Sequence, residues 1–231
     1  MMTIYLYSGT PGSGKSLHAA RDVRDAIKYK NIPVVANYEF NVQHLGGTFR
    51  YVSNYELTPE VLRRFAAEWW KEHEFKEDRI LLVIDECQLL FNSRDWQDSR
   101  RMEWLEFFSQ HRKYGYKVIF IAQFDRMIDR QIRSLLEYDV QHRKVSNYGK
   151  IGFILRLLLF GELFYCCTYY YPLKEKVGGE WIRYSKNLGE LYDSYKTFER
   201  KDTGTGGEGS RGTLPPVRVL PARAGSLRVV G

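Results

Sequence analysis

The sequence holds only three cysteines in 231 residues, and none belongs to a metal-binding pattern. Cys87 stands alone and Cys166 and Cys167 are adjacent, so no CxxC or CxxC…HxxxH spacing exists to hold zinc, and the five histidines are scattered. An odd number of cysteines without a framework excludes a disulfide-stapled secreted domain. It suits a reducing compartment, and the cytoplasm is the expected location. The N-terminus lacks a basic segment, an apolar segment and a cleavage site, so no secretory signal is read. Internal repeats are also lacking. So is an uninterrupted apolar run of the roughly 20 residues that a membrane span needs. The stretch 151–171 comes nearest, but Arg156 and Glu162 interrupt it and Gly161 sits at its centre. Two ionisable groups in lipid are costly, so two strands, 151–159 and 163–171, turning at Phe160-Gly161-Glu162, are expected in place of a span. No integral span is therefore predicted. The net charge of +7 is modest; it permits a polyanionic partner without demanding one.

What is present is an alternation of short apolar runs with amphipathic stretches. Residues 3–8 read as a buried strand. Residues 16–30 follow with helical spacing, Leu17, Ala20, Val23 and Ile27 sharing one face, and Asn31 and Pro33 end that helix. A second apolar run covers 34–37. Residues 59–74 read as a helix with Thr58 as N-cap and Pro59 at its first position. Residues 80–84 are five consecutive aliphatics, as a strand covered on both faces requires. A long charged helical stretch then ends near Tyr114-Gly115, where glycine can take a left-handed conformation. Residues 118–122 form another buried strand, 126–137 a helix and 139–144 a fifth strand, with a closing helix over 188–198. Strands alternating with helices predict an α/β fold, a mainly parallel sheet flanked by helices, with a C-terminal β-hairpin. The domain is expected to span 1–199. From residue 200 to 231 the Gly-, Pro- and Arg-containing composition predicts a disordered tail.

The motif with the clearest chemistry is Gly9-Thr10-Pro11-Gly12-Ser13-Gly14-Lys15-Ser16, which satisfies GxxxxGK[ST] at every fixed position. Its glycines let the backbone turn so that successive N–H groups face a phosphate. The helix that starts near Lys15 adds its positive dipole end. An apolar strand before the loop and an amphipathic helix from Ser16-Leu17 onward supply the context of a P-loop NTPase. Lys15 is expected to reach the β- and γ-phosphates of ATP, and the Ser16 hydroxyl to ligate Mg2+. The run 80–84 leads into Asp85-Glu86. A carboxylate ending a buried strand calls for a cation or hydrogen bonds, which assigns Asp85 to magnesium, directly or through water. Glu86 is expected to polarise the attacking water. Gln123 ends the strand 118–122 and either faces the ligand crevice, sensing the γ-phosphate or orienting water, or faces solvent; both readings stay open. Of the eight arginines between Arg94 and Arg143, Arg112 and Arg143 are the candidates for a finger supplied to a neighbouring subunit. A homo-oligomer is expected on that account.

These segments resemble the zonula occludens toxin (Zot) family of filamentous-phage assembly ATPases. The resemblance rests on the opening strand with Gly9–Ser16, then Ile84-Asp85-Glu86-Cys87-Gln88, Gln110-His111-Arg112-Lys113-Tyr114-Gly115 and Val118-Ile119-Phe120-Ile121-Ala122-Gln123. It extends through Gln131-Ile132-Arg133-Ser134-Leu135, His142-Arg143-Lys144 and Leu191-Tyr192-Asp193-Ser194-Tyr195, covering about residues 2–199. The resemblance implies an ATPase at the inner face of the cell membrane that drives extrusion of single-stranded DNA virions, with phage-assembly or inner-membrane proteins as partners. Many members of the family continue into a transmembrane helix and an outer domain. Here a short polar tail follows, so membrane attachment is expected to come through a partner or to be absent. Two other readings use the same loop: a small-molecule phosphotransferase with an arginine-rich lid, and an interaction module that binds ATP without turnover.

Overall fold

The structure, a computed structural model, describes residues 4–91, 98–145, 162–192 and 219–220. Its spine is a set of apolar strands: β1 (Ile4–Ser8), β2 (Val34–Ala36), β3 (Gly47–Tyr51), β4 (Ile80–Ile84), β5 (Tyr116–Ile121) and β6 (Tyr138–Lys144). All six run parallel in the order β6-β1-β5-β4-β2-β3. Two antiparallel strands, β7 (Leu163–Tyr170) and β8 (Glu175–Arg183), extend the sheet beyond β6. At the other edge β9 (Val219–Leu220) pairs antiparallel with Gly47 and Thr48 of β3.

The unbroken apolar runs are explained by cover on both faces. Along β4, Ile80, Leu82 and Ile84 face one core, where helices α2 (Pro59–Glu72) and α3 (Asp98–Gln110) contribute Leu62, Phe65, Trp104, Phe107 and Phe108. Leu81 and Val83 face the other, filled by Ala19, Ala20, Val23, Ala26 and Ile27 of helix α1 (Lys15–Lys28). The small alanines let α1 lie close against the sheet. The first core is aromatic, and Phe108 meets Phe120 edge to face at 5.1 Å and 89°.

The predicted parallel sheet, the P-loop helix and the helix capped by Thr58, whose side chain accepts from Val61 N, are all present. Gly115 takes φ 80 after a 3-10 turn over His111–Tyr114, as the end of the charged helix requires. Three expectations are corrected. The helix over 126–137 is a 3-10 turn (Asp125–Met127) and a single turn α4 (Arg130–Arg133). Asp129 lies between them with φ −49 and ψ 141, outside the helical region, and caps the second through Gln131 N and Ile132 N. The hairpin lies one strand later than predicted: both edges of β7 are taken, by β6 and by β8. The partner expected at 151–159 lies outside the described residues. The closing helix predicted over 188–198 is interrupted: one turn, α5 (Lys186–Gly189), capped by Ser185, ends before 190–192, which are not helical, and 193–198 lie outside the described residues. The tail predicted as disordered lies outside them too, apart from the two residues of β9.

Candidate functional site

Four strands end at the same edge. Ser8 is level with Gln141, Tyr7 with Ile121, and Ile84 with Phe120, so the loops after β1, β4 and β5 converge there, beside the last residues of β6. In open parallel sheets this carboxyl edge is where ligands bind. β1 lies between β5 and β6. The connection after β1 runs to β2 on one side and the one after β5 crosses to β6 on the other, so the loop after β1 lies at the crevice between them.

That loop needs its glycines. Gly9 has φ 140, Gly12 φ 73 and Gly14 φ 98, all in the region that side chains disfavour. A Cβ on Gly9 would stand 2.6 Å from the His142 carbonyl, and one on Gly14 would stand 2.6 Å from the Phe164 ring. Lys15 Nζ donates to the carbonyls of Gly9 at 2.8 Å and Thr10 at 3.2 Å, which curls the loop around its own ammonium. Burial lowers the Lys15 pKa, against the pull of Glu86 and Asp85. Ser13 is buried in the same loop, and its hydroxyl has no hydrogen-bond partner. The cradle thus offers an unpaired polar atom, N-terminal helix amides and a cation, and suits a phosphate chain.

The acidic strand end faces it. Asp85 is 2 % exposed, and burial pushes its carboxyl up to about 6. Oδ1 accepts from Glu86 N at 2.8 Å and Oδ2 from the Tyr192 hydroxyl at 2.7 Å. Asn37, at the end of β2, grips the Asp85 backbone from both sides. Its Nδ2 donates to Asp85 O at 2.8 Å and its Oδ1 accepts from Asp85 N at 2.6 Å. Glu86 has φ 45, a left-handed conformation that costs roughly 1–2 kcal/mol in a residue with a side chain. Its carboxylate is hydrogen-bonded by Gln88 Nε2. Such strain is a feature of functional sites. A cleft of about 650 Å³ joins Pro11, Gly12, Lys15, Ser16, Asp85 and Glu86, with Leu17 and Gln123 also on its wall. The hard oxygens of Ser16 and Asp85 match magnesium chemistry. Beside this cleft a second, of about 450 Å³, is lined by Gly9, Thr10, Gln123 and Arg143 among others.

The predicted residues therefore divide. Residues 9–17, Asp85, Glu86 and Gln123 come together; Gln123 also accepts from Gly9 N through its carbonyl at 3.1 Å. Arg143 is exposed at the carboxyl end of β6, on the wall of the neighbouring cleft. Arg112 is at the opposite end of the sheet, beside Gly115, whose carbonyl accepts from the first residue of β4. There Arg112 Nε donates to Glu77 at 3.0 Å.

Sequence reasoning missed Asn37 and Tyr192, and it missed a buried chain behind the loop. His142 Nδ1 lies 3.2 Å from Ser8 O and its Nε2 lies 2.8 Å from His18 Nδ1. With Ser8 O as acceptor, His142 Nδ1 carries the proton and Nε2 accepts from His18. His18 Nε2 is 3.1 Å from Glu180, which Arg21 also binds at 2.8 Å. Burial, reinforced by His18, drives the His142 pKa down to about 3, and the hydrogen bond from His18, with that of Arg21, holds Glu180 at about 2. Cys166 adjoins the pair, its thiol pushed up to about 12 by burial. No spacing in the sequence announces this cluster, because its members lie on α1, β6, β7 and β8. Only the alternation of Val140 and His142 with Gln141 and Arg143 in β6 hints that His142 points to a core face.

A family model described as zonular occludens toxin (Zot) matches residues 3–199. The Gene 1 protein of Enterobacteria phage f1 is 27% identical over 219 residues, covering 85% of this chain and 60% of its own length. The chain thus spans about three fifths of the curated relatives it matches first. Among solved structures, a DnaB-like replicative helicase superposes with a TM-score of 0.55 at 10% identity, over 80% of this chain and 57% of that one. The genome packaging NTPase B204 of Sulfolobus turreted icosahedral virus 2, in complex with ATP-gammaS, superposes with a TM-score of 0.50 at 13% identity, over 78% and 95%. These likenesses establish a P-loop NTPase fold.

Proposed function

The chain belongs to the zonular occludens toxin (Zot) family, and on that premise we propose that it is an ATP-binding and hydrolysing motor for the assembly or export of filamentous phage virions. The observation that carries the proposal is the meeting of Lys15, Ser16, Asp85 and Glu86 in one cleft at the carboxyl edge of the sheet. Lys15 would leave the loop carbonyls for the phosphates, and the loop amides would hold the β-phosphate. Ser16 and Asp85 would hold Mg2+, which would supply charge neutralisation on the phosphates. Glu86, fixed by its strained backbone and by Gln88, would orient and polarise the attacking water, with Gln123 beside it.

The described lining of this cleft contains no arginine, which speaks against a phosphotransferase lid within one chain and for a cation from a neighbouring copy. Arg143, exposed beside the loop, would then be the finger at a subunit interface. Arg112 would reach a phosphate only in a neighbour. The match to the Gene 1 protein of phage f1 supports a phage setting; in it, phage-assembly or inner-membrane proteins would be the partners and single-stranded DNA the cargo. Among the described residues no helix is long and apolar enough to cross a membrane; in this reading the motor works at the inner face of the membrane.

The test is ATP binding and hydrolysis by the purified chain with magnesium, with and without single-stranded DNA. Lys15→Ala should lose binding; Glu86→Gln should bind ATP and lose turnover. Absence of magnesium-dependent affinity for ATP or GTP would overturn the proposal, and undiminished turnover by Glu86→Gln would remove Glu86 from its role.

A further inference from the structure

The acidic residue assigned to magnesium is held by a residue that no motif contains. The Tyr192 hydroxyl donates to Asp85 Oδ2 at 2.7 Å and lines the same cleft as Ser16. One phenol therefore fixes the orientation of the carboxylate beside the other hard ligand. It holds one Asp85 oxygen while Glu86 N holds the other.

The phenol itself is firmly placed. Its ring stacks on Tyr38 at 4.3 Å and 19° and leans on Phe40 at 5.9 Å. The preceding residue, Leu191, is buried, and its carbonyl accepts from Asn41 N at 2.9 Å. Tyr38, Phe40 and Asn41 all belong to the segment after β2, which begins with Asn37, the residue that grips the Asp85 backbone. The end of the domain and the end of β2 thus form one support behind the acidic strand end.

We propose that Tyr192 is a positioning residue of the magnesium site, acting through Asp85, so that this site is complete only when the 191–192 segment is docked. The inference rests on the nucleotide-binding reading above. Metal ligands commonly depend on such outer hydrogen bonds, and loss of one lowers metal affinity by about 10- to 100-fold. A residue that merely holds the fold would instead weaken all binding together.

The experiment is a fluorescence titration of the full chain with a mant-labelled ATP, first in EDTA and then with increasing Mg2+, for the wild type and Tyr192→Phe. Phenylalanine keeps the stacked ring and removes only the hydroxyl. The expected result is an affinity in EDTA equal to that of the wild type, with the Mg2+ midpoint raised about 10-fold or more. Tyr192→Leu, which also gives up the stacking, should raise the midpoint at least as far, and it provides a second reading if one variant folds poorly. An unchanged Mg2+ midpoint in a folded variant overturns the inference. So does an equal loss of affinity with and without Mg2+. If the wild type itself shows no magnesium-enhanced binding, the nucleotide reading is what fails.

Discussion

His142 makes stability depend on pH in a way that can be worked out from its surroundings. Its ring is 2 % exposed, and burial is the main cause that drives its pKa from 6.5 to about 3. It faces His18 and Lys15 from α1, the Ser8 carbonyl from β1 and Cys166 from β7, with Glu180 of β8 on the far side of His18. A histidine whose folded pKa is depressed gives its full stabilisation above 6.5 and loses it as the pH falls toward the folded value. Below pH 6.5 the unfolded chain binds a proton that the folded chain refuses, so the slope is about 1.4 kcal/mol per pH unit. Between pH 7.5 and 5.0 the His142 contribution should fall by about 2 kcal/mol. Asp85 acts in the opposite sense: its pKa is raised from 3.8 to about 6, so the folded chain holds the extra proton between those values. Total stability is therefore a poor measure, and the difference between wild type and His142→Gln is the right one. Glutamine can still donate to Ser8 and accept from His18. Urea unfolding of both proteins at pH 7.5, 6.5, 5.5 and 5.0 gives that difference, and the wild-type advantage should shrink by about 2 kcal/mol across the series. A difference that stays constant with pH would refute the reasoning, because His142 would then titrate alike in both states.

Three further outcomes are expected. Phe108→Ala removes a fully buried ring from the aromatic core and should cost about 3–5 kcal/mol in denaturant unfolding, without altering nucleotide affinity corrected for the folded fraction. Gly115→Ala forces a side chain into φ 80, with a Cβ 2.5 Å from Trp70, and should lower the melting temperature by several degrees while ATP affinity holds. Thr58→Ala deletes the cap that accepts from Val61 N and should cost about 1 kcal/mol, again read by thermal melting.

The parts of the fold legible in the sequence were those in which local pattern and burial agree. β4 is apolar along its whole length and β5 from Val118 onward because both faces are covered there, and no other element explains the five aliphatics in a row of β4. The loop 9–16 was legible because its spacing is a backbone requirement. β3 went unread because its burial is only partial along most of its length. β8 hid for another reason: it is an edge strand of charged and exposed residues, and Gly178-Gly179 inside it reads as a turn. Gly179 is there because a Cβ would collide with the Tyr165 hydroxyl, a fact of the neighbouring strand. At 126–137 the apolar spacing suggested one helix, but the Asp129 side chain competes for the backbone amides and splits it. Within the site, Lys15, Asp85 and Glu86 were legible from their positions at element ends. Asn37 and Tyr192 were not, since each acts on a residue 48 or 107 positions away and neither sits in a local motif.

Gly14 is constrained twice over, by the handedness of its backbone and by the ring of Phe164 lying against it. The two constraints have different origins, one in the loop and one in a strand far along the chain. Trimming Phe164 would open room for a methyl group yet leave the backbone turned the wrong way for it. A single compensating change therefore offers no way out, and the antiparallel extension of the sheet is fastened to the anion cradle at a point that tolerates no side chain.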